Sequence, residues 1–154
     1  ALDPMDKFGD RLAIGPRPSE EMPDAVRGHD LSVMFYAGGE VSELGRSPTR
    51  MAEVLGCGLP VVANEGVGDV ADIIRQYKVG AIVKDGSAAA MATAIDELET
   101  LRSDSDLPSR CRQAAEEVFS LEAGTEAYRK LYAEILGRTD GPEAATAGPQ
   151  AANV

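Results

Sequence analysis

The sequence predicts an α/β fold: a Rossmann-like, doubly wound parallel sheet of about four short strands, incomplete as an open sheet and followed by C-terminal helices. Three observations carry this reading. Short apolar runs alternate with helical patterns along the first half of the chain, which is the order that builds βαβ crossovers. The run Leu59–Ala63 is continuously apolar, the pattern of a strand buried on both faces, and such strands belong to parallel sheets. After Val83 only helix patterns follow.

The elements follow in order. Arg11–Ile14 reads as a first strand, Ser19–Arg27 as a crossover helix and Leu31–Tyr36 as the next strand. Ser47 is a favoured N-cap, with a hydroxyl able to accept from a first-turn amide, and Pro48 fits N1, where no donor is needed. Met51 and Leu55 then repeat at i, i+4 on an apolar face, and Gly56, Gly58 and Pro60 close that helix before Leu59–Ala63. Val70–Tyr77 is long enough for a further crossover helix, and Gly80–Val83 supplies the last strand.

Three helices come next. Ser87 caps one whose stripe is Met91, Ile95 and Leu98; a second puts Leu107, Cys111, Ala114, Ala115 and Val118 on one face. The third starts at Leu121, carries Tyr128, Leu131, Tyr132 and Ile135 as a core stripe, and ends at Gly137 as C′ residue. Residues 138–154 (RTDGPEAATAGPQAANV) have no apolar period and are expected to be a disordered tail, leaving residues 1–137 as one domain. So few strands would leave the sheet partly uncovered, so the chain is expected to be a piece of a longer protein whose missing part precedes residue 1.

Composition narrows the function. Fifteen Lys and Arg against 26 Asp and Glu give a net charge of −11, with no basic stripe of the kind that neutralises a phosphate backbone, so nucleic acid is excluded as a partner. Any phosphate site must be local, built from backbone amides and one or two arginines, which favours a small ligand. Cys57 and Cys111 lie far apart, without metal-ligand or redox spacing, and read as reduced core thiols; no His/Asp cluster suggests a metal. No apolar run approaches the roughly 20 residues of a membrane span, and a cytoplasmic setting is the expectation.

The segment Arg46–Ala63, RSPTRMAEVLGCGLPVVA, joins a helix start to a buried strand and reads as a phosphate cradle at a sheet edge. Arg46, Ser47, Thr49 and Arg50 are its candidate anion contacts, and Thr49, Arg50 and Glu53 share one helix face. A plainer reading pairs Glu53 with Arg50 at i, i+3, worth a few tenths of a kcal/mol. A second motif competes: Gly66-Val-Gly68-Asp-Val-Ala71 satisfies G-x-G-x-x-A, and Asp85 follows at the end of the next strand, as in a dinucleotide site. Asn64 and Glu65 intervene before the first glycine, and Glu65 and Asp69 would set carboxylates where a pyrophosphate must lie, so NAD is the weaker reading. His29, the single histidine, sits in a polar loop and reads as solvated.

From Ser47 to Val83 the residues SPTRMAEVLGCGLPVVANEGVGDVADII and VGAIV resemble the C-terminal, donor-binding domain of GT-B glycosyltransferases of family 4, the retaining glycosyl transferases group 1. DLSVMFY, upstream, resembles that family's preceding strand. The resemblance implies a UDP-, GDP- or ADP-sugar donor bound without a divalent ion or other cofactor, with catalytic residues unassigned. It implies that Glu53 holds the ribose and that Gly45, Arg46, Ser47, Thr49 and Arg50 surround the diphosphate. The family pairs that glutamate with another, seven residues lying between the two; Gly45 stands at that position, and Glu43 or Glu40 are the candidate substitutes. The family's basic pair for the diphosphate has no counterpart in this chain, so an N-terminal acceptor domain and upstream segment are the implied partners, activity belongs to the parent protein, and peripheral membrane contact of that parent stays open. A noncatalytic nucleotide-binding or scaffold module of the same sheet type is the alternative, kept alive by Gly45.

Overall fold

The fold is organised by the strand β2 (Val61–Asn64), which is central in a three-stranded parallel sheet of order β1-β2-β3. β1 is Ser32–Met34 and β3 is Gly80–Val83. The computed structural model describes residues 7–37, 41, 45 and 47–137. Register runs from Ser32 opposite Val61 and from Val61 opposite Gly80. Val61, Val62 and Ala63 are all buried, as a continuously apolar strand between two helix layers requires.

Helix α1 (Met22–Arg27) precedes β1, α2 (Thr49–Gly56) links β1 to β2, and α3 (Val70–Tyr77) links β2 to β3. α2 buries Met51, Val54 and Leu55, and α3 buries Val70, Ala71, Ile73 and Ile74. α4 (Ala88–Arg102) packs on the sheet, where Ala94 and Leu98 join Val62, Ala81 and Val83 in one buried cluster. The result is an α/β architecture of the Rossmann-like kind.

Two sequence expectations fail here for reasons of packing. The run Arg11–Ile14 is no strand: Gly9–Arg11 forms a 3-10 turn closed by Leu12 N donating to Gly9 O at 3.1 Å, and Ile14 is 74% exposed. A four-residue apolar run becomes a strand only where a neighbour's main chain pairs with it, and Pro16 and Pro18, which lack donors, follow directly. On α4 the stripe Met91, Ile95, Leu98 is replaced by Ala90, Ala94 and Leu98; Met91 and Ile95 are 44% and 56% exposed. Small alanines let the helix approach a sheet whose facing residues are Ala81 and Val83, and the larger side chains turn outward. Ser87 caps α4 as expected, accepting from Ala90 N at 3.1 Å.

Helix α5 (Leu107–Phe119) buries Leu107, Cys111 and Ala114, three of the five residues expected on that face. Burial pushes the Cys111 thiol up to about 11, so it stays protonated and inert. Polar side chains fasten α5 to the end of α3. Tyr77 donates its hydroxyl to Glu117 Oε2 at 2.8 Å, and Gln113 Nε2 donates to Glu117 Oε1 at 2.8 Å. Lys78 closes α3 in the left-handed region at φ 54°, and Arg110 reaches its carbonyl through Nη2 at 3.3 Å and Asp104 through Nη1 at 2.7 Å.

The chain divides into two compact units, one ending at Val118 and the other beginning at Phe119. In the second, α6 (Leu121–Ile135) is capped by Ser120, which accepts from Ala123 N at 3.1 Å, and Gly137 follows it at φ 63°. Tyr128 and Tyr132 stack with ring centroids 6.5 Å apart, but they are 65% and 61% exposed and not the core stripe that periodicity suggests. The expected tail, residues 138–154, lies outside the described residues.

Gly80 marks the tightest contact in the sheet, since an added Cβ would fall 1.8 Å from Val61 O. Gly80→Ala is therefore expected to destabilise the domain by about 3 kcal/mol, because backbone and not a flexible side chain must move, and urea unfolding measures it. The Glu117 contacts set a pH dependence. Hydrogen bonds first from Gln113 and then from Tyr77 hold the Glu117 carboxyl below its ordinary 4.5, so its contribution is present above that value and lost as pH falls through the lower, folded one. The slope of stability against pH below 4.5 should be shallower in Glu117→Gln than in the parent chain, as read by thermal melts across pH 2 to 6.

Candidate functional site

The sheet's C-terminal ends carry the segments that could form a site: Phe35–Ala37 after β1, Ser47 and Pro48 before α2, Glu65–Asp69 after β2, and the turn into α4 after β3. Asn64 ties the first and third together. Its Oδ1 accepts from Tyr36 N at 2.8 Å and its Nδ2 donates to Tyr36 O at 3.0 Å, with Glu65 O a second acceptor at 3.2 Å. The amide continues the β1–β2 ladder by side chain where β1 has ended at Met34, and so fixes where the chain departs toward α2. Asn64 is the last residue of β2, so Glu65 alone intervenes before Gly66. Sequence reasoning passed over this clamp; an asparagine closing a buried apolar run was its one signal.

The start of α2 differs by one residue from the cap expected at Ser47. Pro48 is the N-cap, no side chain accepts from the first turn, and the helix runs from Thr49. The Ser47 hydroxyl instead donates to Asp69 Oδ2 at 3.4 Å, across to the start of α3. The physical reason is register: Ser47 lies one residue before the N-cap, out of place for the first-turn amides, and its proton goes to the nearby carboxylate. Thr49 and Arg50 are exposed at the first turn, and Glu53 is exposed on the second, away from the apolar face of Met51, Val54 and Leu55.

Arg50 and Glu53 border a groove of about 250 Å³ beside β1, whose other walls include Val26, His29, Ser32 and Leu59. The i, i+3 pair considered for them is not formed; among the described residues neither has an ion-pair partner. His29 Nδ1 donates to Ala25 O at 2.7 Å, and since a carbonyl only accepts, that nitrogen carries the proton. The structure thus brings Ser47 to Asp69, and Arg50 and Glu53 to one groove. Gly45 is an exposed turn residue; Arg46, Glu40 and Glu43 lie outside the described residues.

The carboxylates of the glycine motif are engaged locally. Glu65 is ion-paired with Arg75, which raises the pKa of that guanidinium. Asp85 accepts from Ser87 N at 2.8 Å, and hydrogen bonds from the Ser87 hydroxyl and amide hold its carboxyl below the ordinary 3.8. A ribose at Asp85 would have to displace the amide that starts α4. Gly66 and Gly68 adopt φ of 82° and 43°, values an L side chain disfavours, which accounts for the glycines through the turn itself.

Among the described residues no three His, Cys, Asp or Glu side chains gather as a metal site, and no helix is long and apolar enough to cross a membrane. Comparison with known proteins matches residues 14–118 to the family described as Glycosyl transferases group 1. No curated protein and no solved structure matches.

If Asn64 is what anchors the β1 exit, Asn64→Ala should speed amide hydrogen exchange at Tyr36 by about tenfold, with much smaller change at Val62 and Ile82, as exchange monitored by NMR would reveal.

Proposed function

The chain belongs to the glycosyl transferases group 1 family, and from that premise we propose that it is the donor-binding domain of a retaining GT-B enzyme of family 4, holding a nucleoside diphosphate sugar. Glycosyl transfer is the activity class that the family assigns; the donor and the residues that hold it are our reading. The observation that carries it is the start of α2, where two turns expose Thr49, Arg50 and Glu53 with no cap and no ion pair to occupy them.

In this reading Arg50, Thr49 and the amides of Thr49 and Arg50 meet the diphosphate with Arg46 and the Ser47 hydroxyl, whose single proton leaves Asp69 to do so, Glu53 accepts from the ribose hydroxyls, and Gly45 stands at the sugar-side position. Departure of the diphosphate builds negative charge on its oxygens, and fixed amides with an adjacent arginine stabilise that charge without a metal; one such donor is worth about 2.7–4 kcal/mol in the transition state. Asp69 works against this, because its negative charge near the start of α2 repels an anionic ligand whether or not a hydroxyl is bonded to it. The acceptor site is assigned to a further domain of the parent protein and the basic pair for the diphosphate to an upstream segment of this domain, so the 154-residue chain binds donor without completing transfer.

A noncatalytic module of the same sheet type is the second reading, favoured by one observation: Gly45 stands where the family's first glutamate is expected, so the carboxylate that meets the transferred sugar is missing at that position. A nucleotide-binding module of this kind differs from the first reading in the sugar, and a scaffold module binds no nucleotide.

Titration calorimetry with UDP, GDP and ADP is expected to give saturable binding of one of them. Glu53→Ala should weaken it about tenfold or more, since a carboxylate accepting from two hydroxyls contributes through charge-assisted bonds. Undiminished binding by that variant would remove the ribose assignment, and a UDP-sugar binding no tighter than UDP itself would favour the noncatalytic module.

A further inference from the structure

Along the outer side of β3 the helices above and below the sheet leave a slot of about 420 Å³. Gly80, Ile82 and Lys84 line it from the strand, Arg75 and Lys78 from the end of α3, and Glu97 from α4. Among the described residues β3 has a hydrogen-bonded neighbour on one side only, which is β2.

The ladder fixes which main-chain groups remain. Val61 N donates to Val79 O at 3.0 Å and Glu65 N donates to Val83 O at 3.2 Å, so residues 79, 81 and 83 face β2. Successive residues of a strand turn their main-chain groups to opposite sides, which sends the N–H and C=O of Gly80, Ile82 and Lys84 into the slot. These are the same three strand residues that line it.

The charges are placed at its ends. Lys78 and Lys84 are six residues apart, about 20 Å along an extended chain, and both are exposed. Among the described residues no ion pair engages either, whereas Arg75 is held by Glu65 and Asp72. Lysines often guard a sheet edge against unwanted pairing, but here they flank the strand and leave Gly80–Val83 between them uncharged. A second copy of the chain is a poor occupant: antiparallel pairing of two β3 edges would bring Lys78 of one copy against Lys84 of the other.

We propose that the β3 edge is a docking site for an extended acidic segment of another protein, added to the sheet as a strand. Its main chain pairs with Ile82 and Lys84, and carboxylates near its two ends meet Lys78 and Lys84. In a chain of charge −11 these two free lysines make the edge a local site for an anion-bearing strand.

The test is an NMR titration of the 154-residue chain with the end-blocked peptide Asp-Val-Thr-Val-Thr-Val-Asp. Expected are shifts and slowed exchange at the Ile82 and Lys84 amides, with saturation below about 1 mM. The double variant Lys78→Glu, Lys84→Glu should bind at least about tenfold more weakly, and a peptide with lysines at its ends should not bind. Ile82→Pro removes an outward donor while sparing the β2–β3 ladder, and should abolish binding at an unchanged melting temperature. Shifts mapping elsewhere, equal affinity for the charge-reversed variant or the lysine-ended peptide, absence of saturation, or concentration-dependent self-association through β3 would each overturn the proposal. Should Ile82→Pro melt early, the charge-reversed pair still decides the outcome.

Discussion

Two-sided burial of β2 is the constraint from which the rest of the structure follows. Val61, Val62 and Ala63 give both faces of the strand to apolar partners, and each fully buried valine contributes about 1.5–3 kcal/mol relative to exposure. Parallel neighbours need crossover connections, whose helices also cover the faces of the sheet, and α2 and α3 supply those crossovers. On the β3 side the ladder is close enough that a Cβ at Gly80 would meet Val61 O, so that position is restricted to glycine.

This geometry decides where chemistry can occur. In a parallel α/β sheet the loops leave from the carboxyl ends of the strands, and ligands sit in the crevice beyond them. Asn64 and Ser47 show how that region is held here. One side chain extends a strand pair past its last backbone bond, and the other spans from the start of α2 to the start of α3. Asn64 acts as a main-chain surrogate and Ser47 reaches a carboxylate, while the longer Arg50 and Glu53 are exposed and, among the described residues, not ion-paired.

Much of the fold is legible in the sequence. α3 and β3 begin and end where periodicity indicates, Ser87 caps α4 with its hydroxyl, and α6 starts at Leu121. Failures occur where a neighbour outvotes the pattern. Arg11–Ile14 has strand composition without a partner; Met91 and Ile95 have helical spacing on the wrong side of a close approach; Ser47 has cap chemistry but lies one residue before the N-cap, with a carboxylate within reach. In the candidate site the residue types of Thr49, Arg50 and Glu53 were readable and their freedom from pairing was not, because exposure and ion pairing depend on chain segments distant in sequence. The Asn64 clamp spans 28 residues and leaves almost no local trace.

By itself the sequence determined the class of fold, the helix spacing, the absence of a basic stripe and the motif that places the chain among the group 1 glycosyl transferases, since each depends on local order and composition. Tertiary structure alone decided which apolar run became a strand, which face of α4 met the sheet, where the Ser47 hydroxyl went and which main-chain groups of β3 were left open. Those outcomes turn on distances between residues far apart in the chain, and periodicity carries no information about such distances.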